Sequence, residues 1–315
     1  MSSATAINDD GWVAGWVAED VTRAGRAVLW RDNGLPLDLG VRGVPVDINE
    51  EGGIAIAGDG VGGNAFAAYL WKDGSLHRLR GTKSRPHVMV TALNDRGDVV
   101  GTVNRYDAFN DRAAIWRNEK LRMLAAPSGA KRGPYRAVGV TNDGLIIGVI
   151  WRGPHPDPLW WKGRRLGALS KGDSGRGFAT HVDDRGRVLG IVAGRGEDDP
   201  GGPTIKWRNV RSDPDKFLKR PFGVTALHHA NGYLVGSAKS RPFLSRLSHS
   251  RPTWLPSPPA PGGSTVDFIN ANGVASGPNP YAPYGGVTVI GEAYVTSESE
   301  SGPRAILWTC AENYR

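Results

Sequence analysis

The chain is expected to be all-β: a seven-bladed β-propeller of four-stranded antiparallel blades, with an irregular last blade that carries a long insertion. Three observations predict this. A turn followed by a short apolar run recurs seven times, an aliphatic run ending in Trp trails it, and no stretch sustains a helical period. The clearest turns are Ala-Ile-Asn-Asp-Asp-Gly-Trp-Val-Ala-Gly (Ala6 to Gly15) and Ala-Leu-Asn-Asp-Arg-Gly-Asp-Val-Val-Gly (Ala92 to Gly101). Looser copies run Val46 to Gly52, Val140 to Gly144, Val182 to Gly186, His228 to Gly232 and Ile269 to Gly273. A period of roughly 40–47 residues with several short strands per unit marks a propeller or a similar array.

Each unit reads as four strands. Strand a enters the turn (Val90 to Leu93), b leaves it (Val99 to Val103), c ends at Trp (Ala113 to Trp116), and d follows a short polar turn (Leu121 to Leu124). The a–b turn is rich in Asn, Asp and Gly because a tight hairpin needs positive φ, and the c–d turns Asp32-Asn33-Gly34 and Lys72-Asp73-Gly74 use the same chemistry. The strand-c Trp residues are read as Trp30, Trp71, Trp116, Trp160, Trp207 and Trp308, probes of the blade core. The sixth copy has Pro242-Phe243-Leu244-Ser245 instead. Trp12, Trp16, Trp151, Trp161 and Trp254 fall outside that register, and of these Trp151 is a candidate ligand contact.

Blade boundaries fall near 1–41, 42–86, 87–134, 135–175, 176–221, 222–262 and 263–315, one domain in all. The 44 Gly and 22 Pro in 315 residues suit a chain of frequent turns. A single Cys310 excludes an internal disulfide framework and an all-Cys metal site. The start, Met-Ser-Ser-Ala-Thr-Ala-Ile-Asn, has no basic and apolar leader, and no run is long enough to span a bilayer, so a cytoplasmic location is expected, with a secreted protein trimmed of its signal peptide as the alternative.

The unit Ala-x-Ala-Ile-Asn-x-x-Gly-x-Val-x-Gly, followed by Arg-Ala-x-Leu-Trp and a closing Leu-Gly, resembles the bacterial HAF repeat. The match is best over Ala4 to Gly40, Val46 to Gly81 and Val90 to Leu124. The resemblance implies a propeller-type fold in a bacterial protein and carries no catalytic motif over to this chain.

Function must therefore be read from residues that break the repeat. With strand a innermost, small or aliphatic side chains line an axial channel, except Asp47, His181 and Asp267. Two carboxylates and an imidazole there form a candidate catalytic set or a place for a divalent cation; polar filler in a water-filled channel is the plainer alternative. No other cofactor is expected. The b–c and d–a loops share one face, opposite the short turns, and the d–a loops are basic. Candidate ligand-binding residues on that face are Arg85, His87, Arg136, Trp151 and His155. Tyr281, Tyr284 and Glu292 join them from the insertion, whose Val287 to Val295 stretch reads as an ordered hairpin forming a lid or rim.

Thirty-nine basic and 31 acidic residues leave a net charge of +8, which favours anionic partners. Nucleic acid is disfavoured because no RNP-like motif and no dense Lys/Arg run is present. Gly58 to Gly63 is a b–c loop and no phosphate cradle, since no helix follows it. The pair His228-His229 is placed at an a–b turn. The preferred reading is a monomeric binding scaffold for a small anionic ligand, a peptide or a partner protein on the loop-rich face. The alternative is a metabolite-processing lyase, hydrolase or cyclase at the channel mouth, using Asp267, His181 and Asp47.

Overall fold

A computed structural model describes residues 2–18, 25–31, 35–59, 66–105, 110–128, 133–152, 156–171, 177–191, 204–216, 224–230, 233–238, 241–246, 253–254, 264–269, 287–296 and 301–310. Their regular structure is β, and no helix among them is long and apolar enough to cross a membrane. The chain falls into two compact units, one of Met1–Gly58, Trp71–Leu76 and Val224–Arg315, the other of Asp59–Leu70 and His77–Gly223.

The first sheet has the order β1 to β7, with β1 (Ser2–Ile7), β2 (Val13–Val17), β3 (Arg26–Trp30), β4 (Leu37–Ile48), β5 (Ile54–Asp59), β6 (Phe66–Lys72) and β7 (Ser75–Leu79). It is this wide because β4 serves twice. Its first half pairs with β3 and its second half with β5, so one long strand ends one repeat and opens the next. Four-stranded antiparallel sheets follow. They are β8 (His87–Leu93), β9 (Val99–Asn104), β10 (Arg112–Arg117) and β11 (Lys120–Met123); then β12 (Tyr135–Val140), β13 (Leu145–Trp151), β14 (Pro156–Lys162) and β15 (Arg165–Ala168); then β16 (Phe178–Val182), β17 (Val188–Ile191), β18 (Thr204–Trp207) and β19 (Asp215–Lys216); then β20 (Val224–Ala230), β21 (Tyr233–Ala238), β22 (Arg241–Arg246) and β23 (Thr253–Trp254). The last sheet has three described strands, β24 (Ser264–Ile269), β25 (Val287–Thr296) and β26 (Ser301–Cys310).

Burial explains why the strands read as they do. On β13, Ile146 and Ile150 pack with Val100 and Ile115 of the β8–β11 sheet, whereas Leu145 and Ile147 pack with Val182, Val188 and Ile205 of the β16–β19 sheet. Alternate side chains leave opposite faces of a strand, so a strand covered on both faces is apolar throughout. Leu-Ile-Ile-Gly-Val-Ile-Trp is therefore a run and not an alternation.

The two Gly residues of the repeat have different jobs. The first lies in the hairpin turn. Gly11, Gly52, Gly97, Gly144 and Gly186 all hold φ between 72° and 80°, a region that strains any residue with a Cβ. The second faces a bulge. Strands β1, β4, β8, β12, β16, β20 and β24 each skip one residue in their pairing, respectively Thr5, Val46, Thr91, Val138, Thr180, Leu227 and Asp267. Gly15, Gly101, Gly148, Gly190, Gly236 and Gly291 pair with the residue just before the skip. A Cβ on Gly101 would overlap the Met89 carbonyl oxygen, and one on Gly148 would overlap the Arg136 carbonyl and lie 2.6 Å from the Trp161 ring. Gly101→Ala is expected to destabilise by about 1–3 kcal/mol, because the obstacle is backbone that cannot step aside; urea unfolding at equilibrium measures it.

The bulge leaves a carbonyl without its ladder partner, and Thr is used to repair it. Thr5, Thr91 and Thr180 hydroxyls donate to the carbonyls of Ala14, Val100 and Leu189, and Thr91 also reaches Ala137 of the next sheet at 3.0 Å.

The Asn of the turn has a double role. Asn8, Asn49 and Asn94 accept through Oδ1 from the amide four residues on, at 2.9, 2.6 and 2.9 Å. Asn8 Nδ2 then donates to the Asn49 carbonyl, and Asn94 Nδ2 to the Thr141 carbonyl, tying one repeat's turn to the next. The following residue adds a second tie: the amides of Asp9, Asp95 and Asn142 donate to the side chains of Glu50, Asn142 and Asp184.

Asp184 is the strained member of this chain of turns. Burial, and then Asp95, Asp183 and Asp143 nearby, raise its pKa above the usual 3.8, against the hydrogen bond from Asn142. A carboxyl whose pKa is raised by folding prefers to be neutral in the fold. Its contribution is thus fully present below 3.8 and is lost as pH rises through the raised value. Thermal unfolding of wild type and Asp184→Asn across the acid range is expected to show wild type losing stability relative to the variant as pH climbs through that window.

Three sequence expectations are corrected here. The strand-c Trp of the fourth repeat is Trp161, not Trp160: Trp161 pairs with Ile146 as Trp116 pairs with Val99 and Trp207 with Val188. Its indole donates to the Ala125 carbonyl, as Trp116 donates to Arg80 and Trp207 to Ser170. The Val287 to Val295 stretch is neither a lid nor a rim. It forms β25, the middle strand of its sheet, paired with β24 on one side and β26 on the other. Its alternation reflects a strand between two partners, and not a hairpin over a site. His228 and His229 also lie inside β20 and not in its turn.

Candidate functional site

The site residues gather where the β8–β11 and β12–β15 sheets present the ends opposite their Asn-Gly turns. There β9 ends at Asn104, β10 begins after Asp111 at Arg112, β12 begins at Tyr135 and Arg136, β13 ends at Trp151, and Arg85 precedes β8. Thr82 and Arg85 close the turn before β8 through paired backbone hydrogen bonds of 3.0 and 3.1 Å, which fixes where Arg85 starts.

Asp111 is the hub. It is fully buried, its Oδ2 is ion-paired with Arg136 Nε, and its Oδ1 accepts from Asn104 Nδ2 at 2.9 Å. Its carbonyl accepts the Tyr135 amide at 3.1 Å and Arg112 Nη1 at 2.8 Å. One residue therefore registers two sheets and orients two guanidinium groups. Arg136 lies 5.1 Å from the centre of the Trp151 ring, and Arg112 lies 5.3 Å from that of Tyr135, both in range of cation–π attraction. Gly133 allows the close approach of Trp151, since a Cβ there would overlap the Trp151 carbonyl.

Tyr135 is 3% exposed. Burial raises the pKa of its hydroxyl, while Arg112 and Arg85 pull it down. The hydroxyl stays protonated and so remains a donor. At this end of the sheets, Arg85 Nε and Asn104 Oδ1 are buried and have no hydrogen-bond partner among the described residues.

Of the residues singled out in the sequence, Arg136 and Trp151 meet directly, and Arg85 precedes β8 at the same end of the neighbouring sheet. Arg136 belongs to β12 and not to a loop, and His87 is the first residue of β8 at 2% exposure, which removes it from the loop surface. Lys171 and Arg152 are turned to Asp157, at 2.7 and 3.9 Å. His155, Tyr281 and Tyr284 lie outside the described residues, and Glu292 is placed only by register, opposite Thr265 and Ala305.

The axial set divides. Asp47 and His181 hold the same register position, the first paired residue after the bulge, and His228 shares it. Asp267 is the skipped residue itself, one position earlier. Asp47 Oδ1 accepts its neighbour's amide, that of Ile48, at 2.9 Å. Asp47 and Asp267 belong to one compact unit and His181 to the other. Among the described residues no group of three or more His, Cys, Asp or Glu is arranged to hold a metal ion.

Sequence reading missed Tyr135 and the hub role of Asp111. An Asp-Arg pair opening a strand, before a Tyr-Arg pair opening the next repeat, was the available signal.

No protein-family model matches the chain, and the search of curated proteins gives no match. Solved structures do match. A prolyl endopeptidase aligns over 98% of this chain with a TM-score of 0.62 and 10% identity, and this chain spans 50% of its length. The β-propeller domain of the Trilobed protease from Pyrococcus furiosus, described as having an open velcro topology, aligns over 98% of this chain and 94% of its own with a TM-score of 0.62 and 10% identity. YCF48 from Cyanidioschyzon merolae aligns over 92% of both chains with a TM-score of 0.54 and 14% identity. At these identities the likeness concerns fold alone, and the fold of this all-β chain of antiparallel four-stranded sheets is that of the β-propellers.

Proposed function

We propose that this protein is a binding scaffold of the HAF-repeat type, a seven-bladed β-propeller that holds a small anionic ligand at the loop end of its third and fourth blades. Blades one and two share β4, which supports counting the first sheet twice, and the three strands β24 to β26 make the seventh. The observation that carries the ligand reading is the pair Arg112 and Arg136 held by one buried residue, Arg112 on the Asp111 carbonyl and Arg136 on its carboxylate, each beside an aromatic ring, Tyr135 and Trp151 respectively. Cationic forks beside aromatic faces recognise carboxylates and phosphates, and a fixed scaffold lowers the cost of ordering them. The protease likenesses support the scaffold and bring no peptidase chemistry with them.

A thermal-shift panel of anionic, neutral and cationic metabolites tests the reading. Anionic compounds are expected to raise the unfolding midpoint by mass action, with the shift shrinking as salt rises. Stabilisation by neutral or cationic compounds alone, or by none, would count against it.

A further inference from the structure

We propose that the outer edge of β26 is a docking site for an extended segment of a partner protein, which adds a fourth strand antiparallel to β26 through a Leu-x-x-Leu sequence. The site is separate from the anion reading, and neither depends on the other. In five repeats the third strand is paired on both sides. Val28, Ala114, Leu159, Ile205 and Phe243 each pair inward with the second Gly of their repeat. Outward they pair with Asp38, Met123, Ala168, Lys216 and Trp254 respectively. Ile306 holds the same position in β26, opposite Gly291, and has no outward partner among the described residues.

That edge is also long. The outermost strands β7, β11, β15, β19 and β23 have 5, 4, 4, 2 and 2 residues, whereas β26 has 10. Short edge strands guard against stray pairing, and a long one is a template for it. The backbone shows which groups face outward. Leu124 and Leu169 amides donate to the Ala113 and Pro158 carbonyls, both at 3.0 Å, and Ala305 holds the equivalent position in β26. Alternate residues of a strand turn their N–H and C=O to the same side, so Pro303, Ala305, Leu307 and Thr309 face the open edge. Pro303 has no N–H to offer there and so costs the β25–β26 ladder nothing, as edge strands allow.

The repeats indicate what fills such an edge. Three outer strands, with the residue that follows two of them, carry Leu76-His-Arg-Leu79, Leu121-Arg-Met-Leu124 and Leu166-Gly-Ala-Leu169. Leu121 lies opposite Trp116 and Leu166 opposite Trp161, and the second Leu of each segment is buried. The last repeat has its Trp at Trp308, but residues 309–315 contain no Leu. All three segments are already engaged in their own sheets, so a second copy of the chain has none of them to give. The chemistry that fits is therefore a partner's extended Leu-x-x-Leu segment, bound by main-chain hydrogen bonds and selected by its alternate side chains.

The test uses the wild-type protein and a labelled synthetic peptide, Asn-Glu-Lys-Leu-Arg-Met-Leu-Ala, the sequence of residues 118–125. Two altered peptides accompany it, one with Asp in place of the second Leu and one N-methylated at that Leu, which removes the amide that Leu124 donates to Ala113. Fluorescence anisotropy is expected to show saturable binding at one site per chain, weakened by about tenfold or more with either altered peptide. Hydrogen exchange followed by mass spectrometry is expected to show the Ala305, Leu307 and Thr309 amides exchanging freely in the protein alone and slowing when the peptide binds. Three results overturn the proposal. They are no saturable binding, binding that N-methylation leaves unchanged, and slowed exchange in another sheet with β26 unaffected. Amides of β26 that are already protected without peptide overturn it as well: sedimentation then assigns the edge to a second copy if the protein is a dimer, and to the chain itself if it is a monomer.

Discussion

Trp161→Ala is expected to cost about 3–5 kcal/mol of stability, and Trp160→Ala, the adjacent residue, about 1–2 kcal/mol. Trp161 is 1% exposed and fills the space between two sheets with Ile115, Tyr135 and Ile146. Removing it opens a cavity and also deprives the Ala125 carbonyl of its indole donor at 2.9 Å. Trp160 lies on the other face, half-buried, with its ring against Gly167. Folded domains are stable by only about 5–15 kcal/mol, so the larger loss is a substantial share of the whole. Equilibrium urea unfolding of both variants checks the contrast, and equal losses would mean that the strand register is misassigned.

Asp111→Ala is expected to cost about 3–5 kcal/mol, because it leaves Arg136 and Asn104 Nδ2 without their acceptor. The Arg136 side chain is 34% exposed, so water relieves part of that loss. The double variant Asp111→Ala with Arg136→Met is then expected to be more stable than Asp111→Ala alone, since the orphaned charge has gone. A double-mutant cycle measured by thermal unfolding gives the coupling. Additive losses would show that Asp111 is not the hub.

Much of the fold was legible because the repeat is physical. Asn8, Gly11, Gly15 and Trp30 each answer one requirement, respectively a turn bond with a tie to the next repeat, a positive φ, a bulged carbonyl and a cover for the apolar cluster of Ala4, Ile7 and Val13. Those requirements recur, so the residues recur. What failed to show in sequence was register. A bulge moves every later residue by one, which put Asp267 beside Asp47 and His181 in the reading but not in the pairing. Two consecutive Trp residues likewise offered no local reason to prefer Trp161. The strand role of Val287 to Val295 was hidden because the expected second strand of that repeat comes earlier in the chain.

The site was half legible. Arg85, Arg136 and Trp151 stand out by charge, aromaticity and position in the unit. Tyr135 and Asp111 do not, because their importance comes largely from contacts with residues distant in the chain, such as the Asp111–Arg136 pair with a separation of 25. A basic residue also follows the strand-c Trp, as in Arg31 and Arg117. Arg117 meets Asp98 at 3.1 Å, and where Trp12 replaces that Asp, Arg31 stacks on its ring at 3.9 Å. That pattern orders the turns and takes no part in the proposed ligand site.

Ligand recognition is proposed for the ends of the β8–β11 and β12–β15 sheets opposite their Asn-Gly turns. The indole N–H signals of the 11 Trp residues, followed by nitrogen-edited NMR during titration with the anion that gives the largest thermal shift, test it most directly. The Trp151 signal, beside Arg136, is expected to move and saturate while that of Trp12, in an Asn-Gly turn, stays in place. Saturating movement of Trp12 with Trp151 unmoved would contradict it.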